Sequence, residues 1–120
     1  MANQVVWFDI PVLDLDRAIT FYNAVLKCSI HKDPDGAIGM LPHGKNDVSG
    51  CLVVVKDNPT SGSGPLLYFN VNGRLTEAIH AAQANCGRVL EERRSLGLYG
   101  FRAIVIDSEG NCIALHSLKP

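Results

Sequence analysis

The chain has 120 residues, 47% of them hydrophobic and 19% charged, with 11 Lys/Arg against 12 Asp/Glu and a formal net charge of −1. A chain of this size and balance is expected to form one globular domain, residues 1–120, that buries about two-thirds of its unfolded surface. It has no Lys/Arg run to attract a nucleic acid or an anionic membrane, and no apolar run near the ~20 residues that span a bilayer.

The opening MANQVVWFDI has no basic n-region and no long apolar h-region, which predicts a cytoplasmic protein. Cys28, Cys51, Cys86 and Cys112 form no C-x-x-C pair and sit at or beside apolar stretches, so they read as small hydrophobes in a reducing compartment.

Gln4–Val12 alternates as a strand does. Phe8, Ile10 and Val12 share one face, and Trp7, Asp9 and Pro11 share the other. Asp14 is placed to cap a helix. Leu15, Ala18, Ile19, Tyr22, Val25 and Leu26 recur at helical spacing to about Lys27, a stripe that should cover the Phe8/Ile10/Val12 row. Cys28–Lys32 reads as a short strand, Asp33-Pro34-Asp35-Gly36 as a turn, Ala37–Leu41 as a strand and Pro42–Lys45 as a loop. Ser49–Lys56 is a valine-rich strand, and Asp57–Pro65 (DNPTSGSGP) is linker-like. Beyond it, Leu66–Asn72 is a strand, and Leu75, Ala78, Ile79 and Ala82 mark a second helix. Asn85-Cys86-Gly87 should end that helix with a glycine cap. Arg88–Arg93, Phe101–Asp107 and Asn111–Ser117 complete the strands, Ser95–Gly100 is a loop, and Tyr99, Gly100 and Phe101 after Gly97 are either a mobile lip over a cavity or a plain surface loop.

The order β-α-β-β-β thus occurs twice, in a module of about residues 4–56 and another of about 66–118 joined through 57–65. Leu15, Ala18 and Ile19 match Leu75, Ala78 and Ile79. Asp47-Val48-Ser49-Gly50 matches Asp107-Ser108-Glu109-Gly110, which aligns Val53–Val55 with Ile113–Leu115. The fold class expected is α+β, two βαβββ modules with curved, open half-barrel sheets.

Two motifs carry a resemblance: Asp14-Leu15-Asp16-Arg17-Ala18-Ile19-x-Phe21-Tyr22 after the first strand, and Asp107-Ser108-Glu109-Gly110-Asn111 before the last. With the repeated module order, they make the chain resemble the vicinal oxygen chelate superfamily, which holds glyoxalase I, bleomycin-resistance proteins and extradiol dioxygenases. The resemblance implies sheets whose concave faces enclose a cavity, and pairing as a homodimer. It also implies four metal positions, which match Trp7, Val54, Leu66 and Ala114. None of these side chains is an imidazole, carboxylate or thiolate, so no metal and no other cofactor is expected and the usual glyoxalase I reaction is not.

Extending those positions by strand alternation gives the expected cavity rows Trp7/Asp9, Leu52/Val54/Lys56, Leu66/Tyr68/Asn70 and Cys112/Ala114/His116. The opposite rows, Phe8/Ile10, Val53/Val55, Leu67/Phe69/Val71 and Ile113/Leu115, are apolar. The expected ligand-binding residues are therefore Trp7, Asp9, Tyr68, Asn70 and His116. Asp9 is an acid/base in a partly dry site, a carboxylate that holds a cationic ligand, or a carboxylate held by backbone amides or an arginine. His116 is an acid/base, a lone metal ligand or a partly exposed histidine near the C-terminus. Tyr68 and Asn70 either orient a ligand or bond within the barrel, and Trp7 is either a flat wall or a plug in the metal position. His31, His43 and His80 read as surface histidines, and Gly62 and Gly64 make no phosphate cradle.

The leading expectation is a protein that binds or sequesters a small organic ligand. The alternatives are a lyase-, isomerase- or dioxygenase-like enzyme using Asp9, His116 or a noncognate metal, and a structural or interaction module.

Overall fold

The computed structural model describes residues 3–56 and 64–120, so positions 57–63 of the expected linker lie outside the described residues. The elements follow the order β1 (Trp7–Val12), α1 (Leu15–Leu26), β2 (His31–Lys32), β3 (Ile38–Met40), β4 (Ser49–Val54), β5 (Leu67–Asn70), α2 (Leu75–Ala84), β6 (Arg88–Ser95), a single 3-10 turn at Gly97–Tyr99, β7 (Phe101–Ile106) and β8 (Cys112–Ser117). Two four-stranded sheets result, β1-β4-β3-β2 and β5-β8-β7-β6. In each, the first and last strands of a module pair in parallel and the remaining pairs are antiparallel. This is the expected α+β fold of two βαβββ modules with sheets that stay open.

Local chemistry sets the helix limits. The Asp14 carboxylate accepts from the Arg17 backbone N–H at 3.1 Å and satisfies one free donor of the first turn of α1. Lys27, at φ 54°, ends α1 in the left-handed region. α2 ends differently from the expectation. The left-handed residue is Cys86 (φ 73°) rather than Gly87, and the Gly87 N–H closes onto the Ala82 carbonyl at 2.8 Å. Glycine is required at position 87 for room: a Cβ there would lie 2.6 Å from a Phe21 ring carbon and 2.8 Å from the Ile106 carbonyl oxygen.

The Phe8/Ile10/Val12 row does meet the core, with Ile10 3% and Val12 0% exposed. The expected facing of β4 is reversed. Ile10 pairs beside Leu52 and Val12 beside Val54, so Leu52 and Val54 face the core with them, whereas Cys51 and Val53 share the open face with Asp9 and Pro11. Leu52 is fully buried and Val53 is not. The cause lies in the repeat. The helices start 60 residues apart, at Leu15 and Leu75, but β4 starts at Ser49 and β8 at Cys112, two and five residues after the matched Asp47 and Asp107. An odd offset of three turns every side chain of a strand to the other face. Val54 therefore leaves the set of expected metal positions.

One core cluster draws on both modules. Ile10, Val12, Phe21, Tyr22 and Leu52 pack in the same cluster as Phe69, Leu75, Ile79, Val105 and Leu115. The helices lie side by side: Arg74 Nη1, at the start of α2, donates to the Val25 carbonyl near the end of α1, and Phe21 meets Gly87 just beyond α2.

The two motifs that carry the resemblance bind each other. Glu109 Oε1 accepts from the backbone N–H groups of Leu13 and Asp14, both at 2.8 Å, and Arg17 reaches the same carboxylate at 2.6 and 2.9 Å. Tyr22 donates its hydroxyl to Asp107 Oδ2 at 2.5 Å, and Asn111 Nδ2 donates to the Pro11 carbonyl at 2.8 Å. Burial pushes the Glu109 carboxyl up, but the hydrogen bonds from Arg17, from the Asp14 and Leu13 backbone and from Ser108 outweigh it and hold the group at about 2. These motif residues tie module to module and leave the chemistry to the sheets.

Candidate functional site

A helix covers one face of each sheet, so the open faces are where a ligand can meet side chains. On the first sheet that face carries Trp7, Asp9, Cys51, Val53, Ile38 and Met40. The Trp7 ring stands edge-on to His43, with centroids 5.2 Å apart, and is 36% exposed. It lies at the surface and is not buried in the core. Asp9 is exposed rather than partly dry, and its Oδ1 accepts from the Cys51 thiol at 3.2 Å. Burial and then that hydrogen bond push the Cys51 thiol up, with the Trp7 indole N–H pulling the other way, so at neutral pH it is a neutral thiol. Beside this cluster runs an open groove of about 530 Å³ lined by Ser29, His31, Ile38, Met40, Pro42 and His43 among others. His31 and His43, expected as plain surface residues, border that groove; His80 is exposed on α2.

On the second sheet the register puts Tyr68 beside Ala114 and Asn70 beside His116, on the face opposite the buried Phe69, Ile113 and Leu115. Tyr68 is 49% exposed and lies 6.2 Å from the His116 ring. His116 Nε2 meets the Tyr99 carbonyl oxygen at 2.6 Å, which ties the Gly97–Tyr99 turn to the rim of this face. A carbonyl only accepts, so Nε2 carries the proton and Nδ1 stays open. Positive φ angles at Gly97 (67°) and Gly100 (93°) let the chain turn sharply on both sides of that contact. Asn70 spends its Oδ1 on the Asn72 backbone N–H at 2.9 Å, the local turn that ends β5.

Three residues of this face went unread in the sequence. Arg102, on β7, donates through Nη1 to the Tyr68 hydroxyl and lies 3.1 Å from Glu91 through Nε. Arg94 also contacts Glu91, at 3.5 Å. Arg102 was detectable, since it alternates with the buried Ala103 and Val105 and must point away from the core. Arg94 and Glu91 were not, because β6 shifts register twice between Val89 and Arg94 and breaks the alternation.

The structure keeps the expected site residues in two sets, Trp7/Asp9 on one sheet and Tyr68/Asn70/His116 on the other. Among the described residues no hydrogen bond, ion pair or ring contact joins the sets. The metal test also fails on donor chemistry. Trp7, Leu66 and Ala114 carry no ligand atom, and Ala114 is wholly buried between Tyr68 and Ile104 in the register. Among the described residues no three His, Cys, Asp or Glu side chains come together as a cation would need.

Comparison with solved structures places this architecture. The chain superposes on a glyoxalase-related enzyme from Fulvimarina pelagi with a TM-score of 0.76 at 16% identity, covering 96% of this chain and 88% of that one. A glyoxalase/bleomycin resistance protein from Albidiferax ferrireducens gives a TM-score of 0.71 at 21% identity, covering 96% and 99%. The fosfomycin resistance protein FosX from Listeria monocytogenes, a mutant complexed with Mn(II) and dihydroxypropylphosphonic acid, gives 0.73 at 12% identity, covering 100% and 92%. No protein-family model and no curated protein matches the chain.

Proposed function

The chain has the vicinal oxygen chelate fold of glyoxalases and bleomycin-resistance proteins, and on that ground we propose that it binds a small organic ligand without that fold's usual metal set. The observation that carries this reading is the asymmetry of the second sheet. Its helix-side row of Phe69, Ile113 and Leu115 is closed and apolar, and its other face sets Tyr68, Arg102 and His116 around an exposed tyrosine ring. A few convergent polar groups beside apolar surface are the usual make-up of a small-molecule site. Trp7 and Asp9 form the corresponding patch on the first sheet, and in a homodimer the two patches of different chains would complete one cavity. The four cysteines are free thiols, which supports a reducing, cytoplasmic setting.

Where the family positions offer no donors, ligand capture falls to side chains alone: Tyr68 and Asn70 orient polar groups, Trp7 presents a flat wall, and Asp9 and His116 accept hydrogen bonds. A thermal-shift screen of small organic compounds tests this. A ligand at one hundred times its Kd stabilises by about 2.7 kcal/mol, a rise of roughly 10 °C for a chain of this size. Hits whose shift disappears in Tyr68→Ala and His116→Ala support the reading. A library that yields no shift, or hits indifferent to both substitutions, contradicts it. The second reading, an acid–base enzyme, rests on the open Nδ1 of His116, and turnover of a hit that His116→Gln abolishes without loss of binding would select it.

A further inference from the structure

At one level of the register, the open face of the second sheet carries Asn70, His116, Arg102 and Arg94 in a line across all four strands. Two guanidiniums on this line share one carboxylate. Glu91 Oε1 lies 3.1 Å from Arg102 Nε and 3.5 Å from Arg94 Nε, which leaves one positive charge without a partner among the described residues of the face. Both contacts use the Nε edge, which leaves Nη2 of Arg102 and both terminal nitrogens of Arg94 without an acceptor among the described residues. Arg102 gives Nη1 to the Tyr68 hydroxyl. The Tyr68 hydroxyl accepts from Arg102 and so keeps its own proton to donate. Beside this polar line stands a ring with open surface, Tyr68 at 49% exposure, and the backbone carbonyl of Tyr99 is tethered to His116 at its rim.

We propose that this face holds a singly charged organic oxyanion, a carboxylate on an apolar or aromatic body, with Arg94 and Arg102 taking the anion and Tyr68 the body. The proposal rests on the small-molecule reading above and narrows it to a ligand class. A planar guanidinium fork matches a carboxylate in two parallel hydrogen bonds. The charge count selects a monoanion: one negative charge neutralises the surplus, whereas a second would face Glu91 and be repelled. Because Arg102 is 16% exposed at its side chain and Arg94 is 56% exposed, one guanidinium is held in place while the other is free to close on the ligand.

Matched pairs of benzoates and their neutral benzamides, titrated into the isotopically labelled full-length chain and followed by NMR, test the proposal. The acids should shift signals of Arg94, Arg102, Tyr68 and His116, the amides should bind at least about tenfold more weakly, and salt should weaken only the acids. Arg94→Gln, at an exposed position where folding is not at stake, should lower acid affinity about tenfold and leave amide affinity unchanged. If acids and amides bind this face equally, or Arg94→Gln changes neither, the anion proposal is wrong and the small-molecule reading stands. If benzoates leave these four residues unmoved while neutral compounds of the thermal-shift screen bind this face, with shifts that Tyr68→Ala and His116→Ala abolish, the anion proposal falls alone. If no compound binds at all, both fall.

Discussion

Replacing Glu109 with glutamine probes the tie between the two modules. The carboxylate is fully buried at its side chain and accepts from the Leu13 and Asp14 N–H groups, from Arg17 and from Ser108. Its pKa falls from 4.5 to about 2, which at about 1.4 kcal/mol per unit corresponds to about 3 kcal/mol of preference for the charged form in the fold. Arg17 is 42% exposed, so water screens its share and the loss expected for Glu109→Gln is about 2–3 kcal/mol at neutral pH. Glutamine also turns an NH2 group toward donors that need an acceptor. Because the folded-state pKa lies below the unfolded one, the contribution is complete above about pH 4.5 and drains away as pH falls toward about 2. Urea unfolding of both proteins between these limits and neutrality, followed by circular dichroism, should show a gap that is widest at neutral pH and narrows in acid. A gap under about 0.5 kcal/mol at neutral pH, or one that stays constant into acid, would mean that the charged carboxylate does not hold the two modules together.

Four further outcomes follow from the same geometry. Tyr22→Phe removes a buried hydroxyl from Asp107 Oδ2 and should cost about 1.5–3 kcal/mol in urea unfolding, with the ring packing against Phe69 kept. Leu52→Ala should cost about 3–5 kcal/mol and Val53→Ala no more than about 1.5, since only Leu52 reaches the core; equal losses would contradict the β4 register. Gly87→Ala drives a Cβ into Phe21 and two carbonyl oxygens and should destabilise by about 1–3 kcal/mol, read as a lower Tm. Cys86→Gly relieves a left-handed residue at an exposed helix end and should raise stability by up to about 1 kcal/mol in the same assay.

The fold was legible because its strongest signals are local. Asp14 followed by Leu15, Ala18 and Tyr22 specifies a capped amphipathic helix whatever surrounds it, and the same spacing returns at Leu75. What the sequence hid depends on register. Asp47-Val48-Ser49-Gly50 looks like Asp107-Ser108-Glu109-Gly110, but the second segment spends three more residues on the Asp107–Asn111 turn, whose Asp107 N–H and carboxylate both bond Asn111, before its strand begins. That difference turned Val54 inward and brought Cys51 to Asp9. Of the residues chosen for the site, Tyr68 and His116 share one face with Arg102, and Trp7 and Asp9 share another with Cys51. Arg94 and Glu91 escaped because a bulged strand has no period to read.

The proposed ligand face needs no contribution from the metal set of its fold. Metal content of protein purified without chelators, measured by plasma mass spectrometry beside ligand titrations with and without added Mn²⁺, Ni²⁺, Zn²⁺ and Fe²⁺, tests it most directly. Metal should stay far below one ion per chain, and ligand affinity should be unmoved by metal or chelator. One tightly bound ion per chain whose removal abolishes binding, and whose retention depends on His116 or Asp9, would contradict it.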